Sequence, residues 1–121
     1  MSPGKIPDHG LEILLALHGV EMVLEYGYWI RFQVWAVNRE SHIPHGIRYS
    51  LTLHDAQNKR LVGFDNAHAV KGSKKKFAPR ATTWDHQHHA DKVLEYRFES
   101  AEKLLIDFWE AVYKNMNRTK Q

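Results

Sequence analysis

The sequence contains no cysteine. That absence excludes disulfides, thiolate nucleophiles and cysteine-held zinc together, so a metal would have to rest on His, Asp or Glu. A long apolar run is missing too. Leu11 to Leu17 is interrupted by Glu12 and preceded by Asp8, which makes it too short and too polar for a signal peptide or a membrane span. Neither sign of charge dominates: 17 basic against 14 acidic residues leave +3, a weak basic bias that suits nucleic acid without demanding it. With 121 residues and no internal repeat, the expectation is one cytoplasmic domain, 1–121, able to bury a core under a main sheet.

Aromatic and imidazole side chains are plentiful. Aromatic residues make up 12% of the chain, four of them Trp, and there are nine His, which gain charge as the pH falls toward about 6. Residues 1–9 carry two Pro and a Gly and read as a flexible arm. Leu11, Leu14, Leu15 and His18 recur at helical spacing, so a short helix ending at Gly19 is predicted. Val20 to Tyr26 and Tyr28 to Val37 read as a hairpin turning at Gly27, Ile47 to Leu53 as a third strand and Arg60 to Asn66 as a fourth. Between the second and third strands, His42 and His45 are expected to face water. Val93 to Phe98 reads as the last strand, with Leu94, Tyr96 and Phe98 inward. Ser100 is a credible N-cap, and the stripe Leu104, Leu105, Phe108, Trp109 and Val112 marks a helix over 101–116. The predicted fold is α+β: an antiparallel sheet of about five strands packed on the C-terminal helix, with a short N-terminal helix.

Alternation leaves the other sheet face with Arg31, Gln33, Trp35, Arg48, Ser50, Thr52 and His54. An antiparallel sheet ordinarily shows water such a face, but two Arg, a His and a Trp also suit phosphates and stacked bases. The basic loop 71–83, with Lys74 and Lys75, reads either as a solvated insertion or as a phosphate clamp.

Acid, amide and imidazole groups gather in Gly63-Phe64-Asp65-Asn66-Ala67-His68 and again in Asp85-His86-Gln87-His88-His89. Cleaving RNA without a metal needs a base, an acid and a cation for the phosphate, roles that His and Arg fill near neutral pH. His86 and His88 are the first candidates, because residues i and i+2 of an extended segment point the same way. Asp65 or Asp85 would orient one imidazole, Arg48 would meet the phosphate, and His68 is a third candidate base. A divalent ion held by His86, His88, Asp65 and either His68 or Asp85 is the metal-dependent alternative. Asn66 suits substrate binding, but both Asp65 and Asn66 also fit a purely structural place at a strand end, and for Asn66 that reading is favoured.

Ile47-Arg48-Tyr49-Ser50-Leu51, Gly63-Phe64-Asp65-Asn66, Asp85-His86-Gln87-His88, Tyr96-Arg97-Phe98 and the helix from Leu104 to Trp109 follow one another as in the TumE-type toxin family, which the chain resembles over roughly residues 20–113. Asp65, Asn66, Asp85, His86 and His88 match positions of the family pattern. Gln87 stands where the family has Arg, and the lysine-rich loop lengthens the link between the two motifs. The resemblance implies the toxin of a bacterial toxin–antitoxin pair, neutralised by a helix-turn-helix antitoxin and attacking RNA. Metal-independent ribonuclease chemistry, calling for no cofactor, is favoured over the metal-dependent route. The alternative is a non-catalytic binding protein whose polar sheet face holds nucleic acid or a partner protein.

Overall fold

The computed structural model describes residues 9–39, 45–66, 85–90 and 92–120. The lysine-rich loop with Lys74 and Lys75 lies outside the described residues, as do His68, His42 and the arm up to residue 8. Helix α1 (His9–Ala16) leads to strands β1 (Glu21–Val23), β2 (Trp29–Ala36), β3 (Ile47–His54), β4 (Arg60–Asp65), β5 (His86–His89) and β6 (Lys92–Glu95), and helix α2 (Ala101–Lys120) closes the chain. The six strands form one sheet in chain order, each antiparallel to the next. The architecture is α+β, as the sequence predicts.

Alternation decides which side chains meet the helices. Ile30, Phe32 and Val34 of β2, Ile47, Tyr49, Leu51 and Leu53 of β3, and Val62 and Phe64 of β4 are all buried on one face. Ala101, Leu104, Phe108, Val112 and Met116 of α2 are buried against it, and Phe108 stands edge-on to both Phe32 and Phe64. The Ser100 side chain accepts a hydrogen bond from the Lys103 amide at 3.0 Å, which satisfies an otherwise orphan donor and starts α2 where the sequence places its cap.

Three elements depart from expectation. The first strand stops at Val23, and a single 3₁₀ turn, Glu25–Gly27, makes the hairpin; Tyr26 and Gly27 both take positive φ there (62° and 80°). The last strand stops at Glu95, and Leu94 is 49% exposed, because β6 is the outer strand, on the rim of the sheet. Tyr96, just beyond it, is buried, and its hydroxyl donates to Asp107 of α2 at 2.7 Å. The sixth strand is β5, a run of four polar residues with no apolar alternation to announce it. Among the described residues, no helix is long and apolar enough to cross a membrane.

Truncating the side chain that ties α2 to the sheet removes packing on two aromatic rings at once. Phe108→Ala is expected to cost about 3–5 kcal/mol, read in urea as a lower midpoint with an unchanged slope.

Candidate functional site on the open face of the sheet

β5 joins β4 with Val62 opposite His89, Gly63 opposite His88, Phe64 opposite Gln87 and Asp65 opposite His86. Directly opposed residues of antiparallel strands share a face. Gln87 and His89 therefore lie on the helix side with Phe64, while His86 and His88 share the open side with Gly63 and Asp65. The register extends this side across the sheet. One row runs Arg31, Thr52, Gly63, His88, Val93; the next runs Gln33, Ser50, Asp65, His86, Glu95.

Asp65 and His88 stand diagonally across β4 and β5, and His88 Nε2 lies 2.9 Å from Asp65 Oδ2, with side chains only 16% and 14% exposed. Donating Nε2–H to the carboxylate leaves Nδ1 as the proton acceptor of the neutral ring. The sheet thus places His86, His88 and Asp65 on one face, with His88 held against Asp65.

It does not bring Asp85 to them. Although next to His86 in sequence, Asp85 is buried on the helix side, where it accepts a hydrogen bond from the Tyr49 hydroxyl at 2.5 Å and lies 3.0 Å from His45 Nε2. Burial, and then the adjacent carboxylate, push the Tyr49 hydroxyl far above the usual phenol range, so it stays a donor. His45 does not simply face water as expected: its ring stacks on Phe98 at 4.0 Å and 17°. No periodicity marks His45 or Tyr49 as partners of Asp85, since 40 and 36 residues separate them from it. Asn66 is wholly buried. It accepts from the Tyr49 amide at 3.0 Å and donates to the Ile47 carbonyl at 2.8 Å, which commits its side-chain amide to holding β3.

The arginines are dispersed. Arg31 pairs with Glu21 at 2.8 Å and lies over the Trp29 ring, 5.2 Å from its centroid. Three strand spacings separate it from His88, roughly 14 Å. Arg48 lies on the same face one row beyond Ser50, diagonal to Asp65. His54 stacks on Trp29 at 4.1 Å and shares a 2.9 Å hydrogen bond with the Thr52 hydroxyl. Among the described residues, no three His, Asp or Glu side chains are grouped to hold a metal ion.

Two histidines couple this sheet to pH. Burial, and then the charge of Arg31, hold the His54 imidazole below the usual histidine range; burial, and then Lys114, do the same for His89. The folded state therefore binds fewer protons than the unfolded one, and stability falls as pH drops through about 6.5, until the lowered folded-state values are passed. The thermal midpoint is expected to fall between about pH 7.5 and about pH 5.5, and to fall less in a His54→Gln/His89→Gln variant. Asn66→Ala leaves a buried amide and carbonyl on β3 without their partner and is expected to cost about 2 kcal/mol by chemical denaturation.

Comparison with known proteins gives one family. No curated protein and no solved structure matches the chain. The family model described as Toxin TumE matches residues 13–116, from within α1 to Met116 of α2. With nearly the whole chain covered, including every strand of the sheet and the Asp65–His88 pair, the protein belongs to the TumE toxin family.

Proposed function

We propose that this chain is the toxin of a bacterial toxin–antitoxin pair and acts in the cytoplasm as a metal-independent ribonuclease. Family membership supports the toxin and, with it, an antitoxin partner; a helix-turn-helix antitoxin is the kind the resemblance implies. The observation that carries the chemistry is the carboxylate-oriented imidazole of His88, 2.9 Å from Asp65, with His86 two residues away on the same face.

In this reaction His88 Nδ1 takes the proton of an RNA 2′-hydroxyl as the 2′-oxygen attacks the adjacent phosphorus. The bond from phosphorus to the 5′-oxygen breaks, and His86, protonated at the outset, gives that oxygen its proton. The products are a 2′,3′-cyclic phosphate and a 5′-hydroxyl end. Asp65 holds the His88 ring and stabilises the imidazolium that forms. Arg48, on the same face, balances charge building on the phosphate oxygens.

Induced expression in a bacterial host is expected to arrest growth with RNA breakdown. His88→Ala is expected to lower RNA cleavage by about 10²–10⁴-fold, and Asp65→Asn by less, at matched soluble levels. Arrest with intact RNA would move the search to another target. Equal toxicity without His86 and His88, together with loss in Arg31→Ala or Arg48→Ala, would replace the ribonuclease by the non-catalytic binding protein.

A further inference from the structure

Gly63 sits in the middle of β4, between Val62 and Phe64, whose side chains enter the core. Its own side-chain position points to the open face, and nothing fills it. A Cβ placed there would lie 3.4 Å from Arg60 Cδ, 3.7 Å from Arg60 Nε and 3.5 Å from His88 Cδ2. The missing side chain therefore leaves a narrow trough over the strand backbone, about one methyl group wide and bordered by the Arg60 arm and the Cδ2 edge of the His88 imidazole.

Arg60 has no right to this face by simple alternation. It lies two residues before Val62 and would share the buried side with it. The register shifts at Leu53/His54, however, so that Leu53 opposes Val62 while His54 opposes Arg60, leaving Leu61 as the extra residue. Such a bulge re-aims the side chains that precede it. Here it turns Arg60 from the core to the open face and lays its arm back over Gly63. The charge of Arg60 is felt on that face, where it is among the causes that disfavour a proton on His54. Among the described residues, no carboxylate forms an ion pair with Arg60.

We propose that the trough over Gly63, between Arg60 and His88, is a phosphate-binding site in which Arg60 is the anion ligand. The inference rests on the ribonuclease reading for its ligand class, a phosphodiester of RNA, and adds a residue and a strand irregularity that the reading does not use. A guanidinium presents two parallel N–H donors to phosphate oxygens, which an ammonium cannot do. The bare glycine leaves room for one oxygen of a tetrahedral anion over the strand, between the Arg60 arm and the His88 ring edge. Bound there, a phosphate meets the Cδ2 edge of the His88 ring, across the ring from Nδ1.

The test reads binding, not cleavage. The probes are inorganic phosphate and a single-stranded DNA oligonucleotide, which lacks the attacking 2′-hydroxyl. Both are titrated into the full chain at low salt while the side-chain NMR signals of His88 and Arg60 are followed. Saturable shifts of both signals are expected. Arg60→Ala is expected to weaken binding about tenfold or more, and Arg60→Lys by less. Gly63→Ala is the decisive variant: its added methyl meets only side-chain atoms at ordinary contact distance, so the protein stays folded while the trough is filled, and binding is expected to fall as far as in Arg60→Ala. Unchanged affinity in Arg60→Ala or in folded Gly63→Ala, or shifts confined to other residues, would overturn the site. RNA cut equally well by wild type and Arg60→Ala would overturn the site and leave the ribonuclease reading standing. Phosphate bound through Arg60 by a protein that never cuts RNA would do the reverse.

Discussion

The pairing register of β4 with β5 is the constraint on which the functional face depends. Four residue pairs define it, and side chains alternate with a period of two, so a slip of one residue would carry His86 and His88 to the helix side and bring Gln87 and His89 out. β5 has little apolar surface of its own to resist such a slip. What holds it lies just beyond its start, where buried Asp85 is bound by the Tyr49 hydroxyl and faces His45. One carboxylate thus fixes the level of β5 against β3, two strands away. Asn66 does the same for the end of β4 through the main chain of Ile47 and Tyr49.

These two polar anchors explain why neighbouring residues of the same short motifs do different work. Asp65 and Asn66 are adjacent, as are Asp85 and His86, and in each pair the chain direction sends one side chain to the open face and the other into the interior. The interior members are satisfied by strong, mostly dry hydrogen bonds, which hold well in a low-dielectric setting and are costly to break. The open-face members include Asp65, which holds the His88 ring at 2.9 Å. Specificity of fold and specificity of chemistry are interleaved one residue at a time.

Most of the fold was legible because its strands obey a period of two and its last helix a period of 3.6. β2, β3 and β4 carry Ile, Phe, Val, Tyr and Leu at alternate positions, and these are the positions that are buried. β5 was legible only as chemistry: His86-Gln87-His88-His89 has no hydrophobic alternation, and it becomes a strand because β4 and β6 offer partners on either side. The shared face of His86 and His88 followed from extended spacing alone, whereas the diagonal contact of His88 with Asp65 depends on a register set by turns and anchors. The inward turn of Asp85 and the stacking of His45 on Phe98 are long-range contacts that no local pattern encodes. Arg60 is the sharpest case, since counting by twos assigns it to the wrong face unless the irregularity opposite His54 is known.

The sequential order of the strands has a consequence for synthesis. Each strand pairs with the one made just before it, so the sheet grows by local additions, which are fast, and a nascent chain can build it from β1 onward. Most of its apolar face stays uncovered until α2, which follows all the described strands in the chain, packs across it. The Asp65–His88 contact joins the fourth and fifth strands and rests on that late-completed core. The face that carries the Asp65–His88 contact is therefore among the last features of the sheet to become firm, once α2 docks.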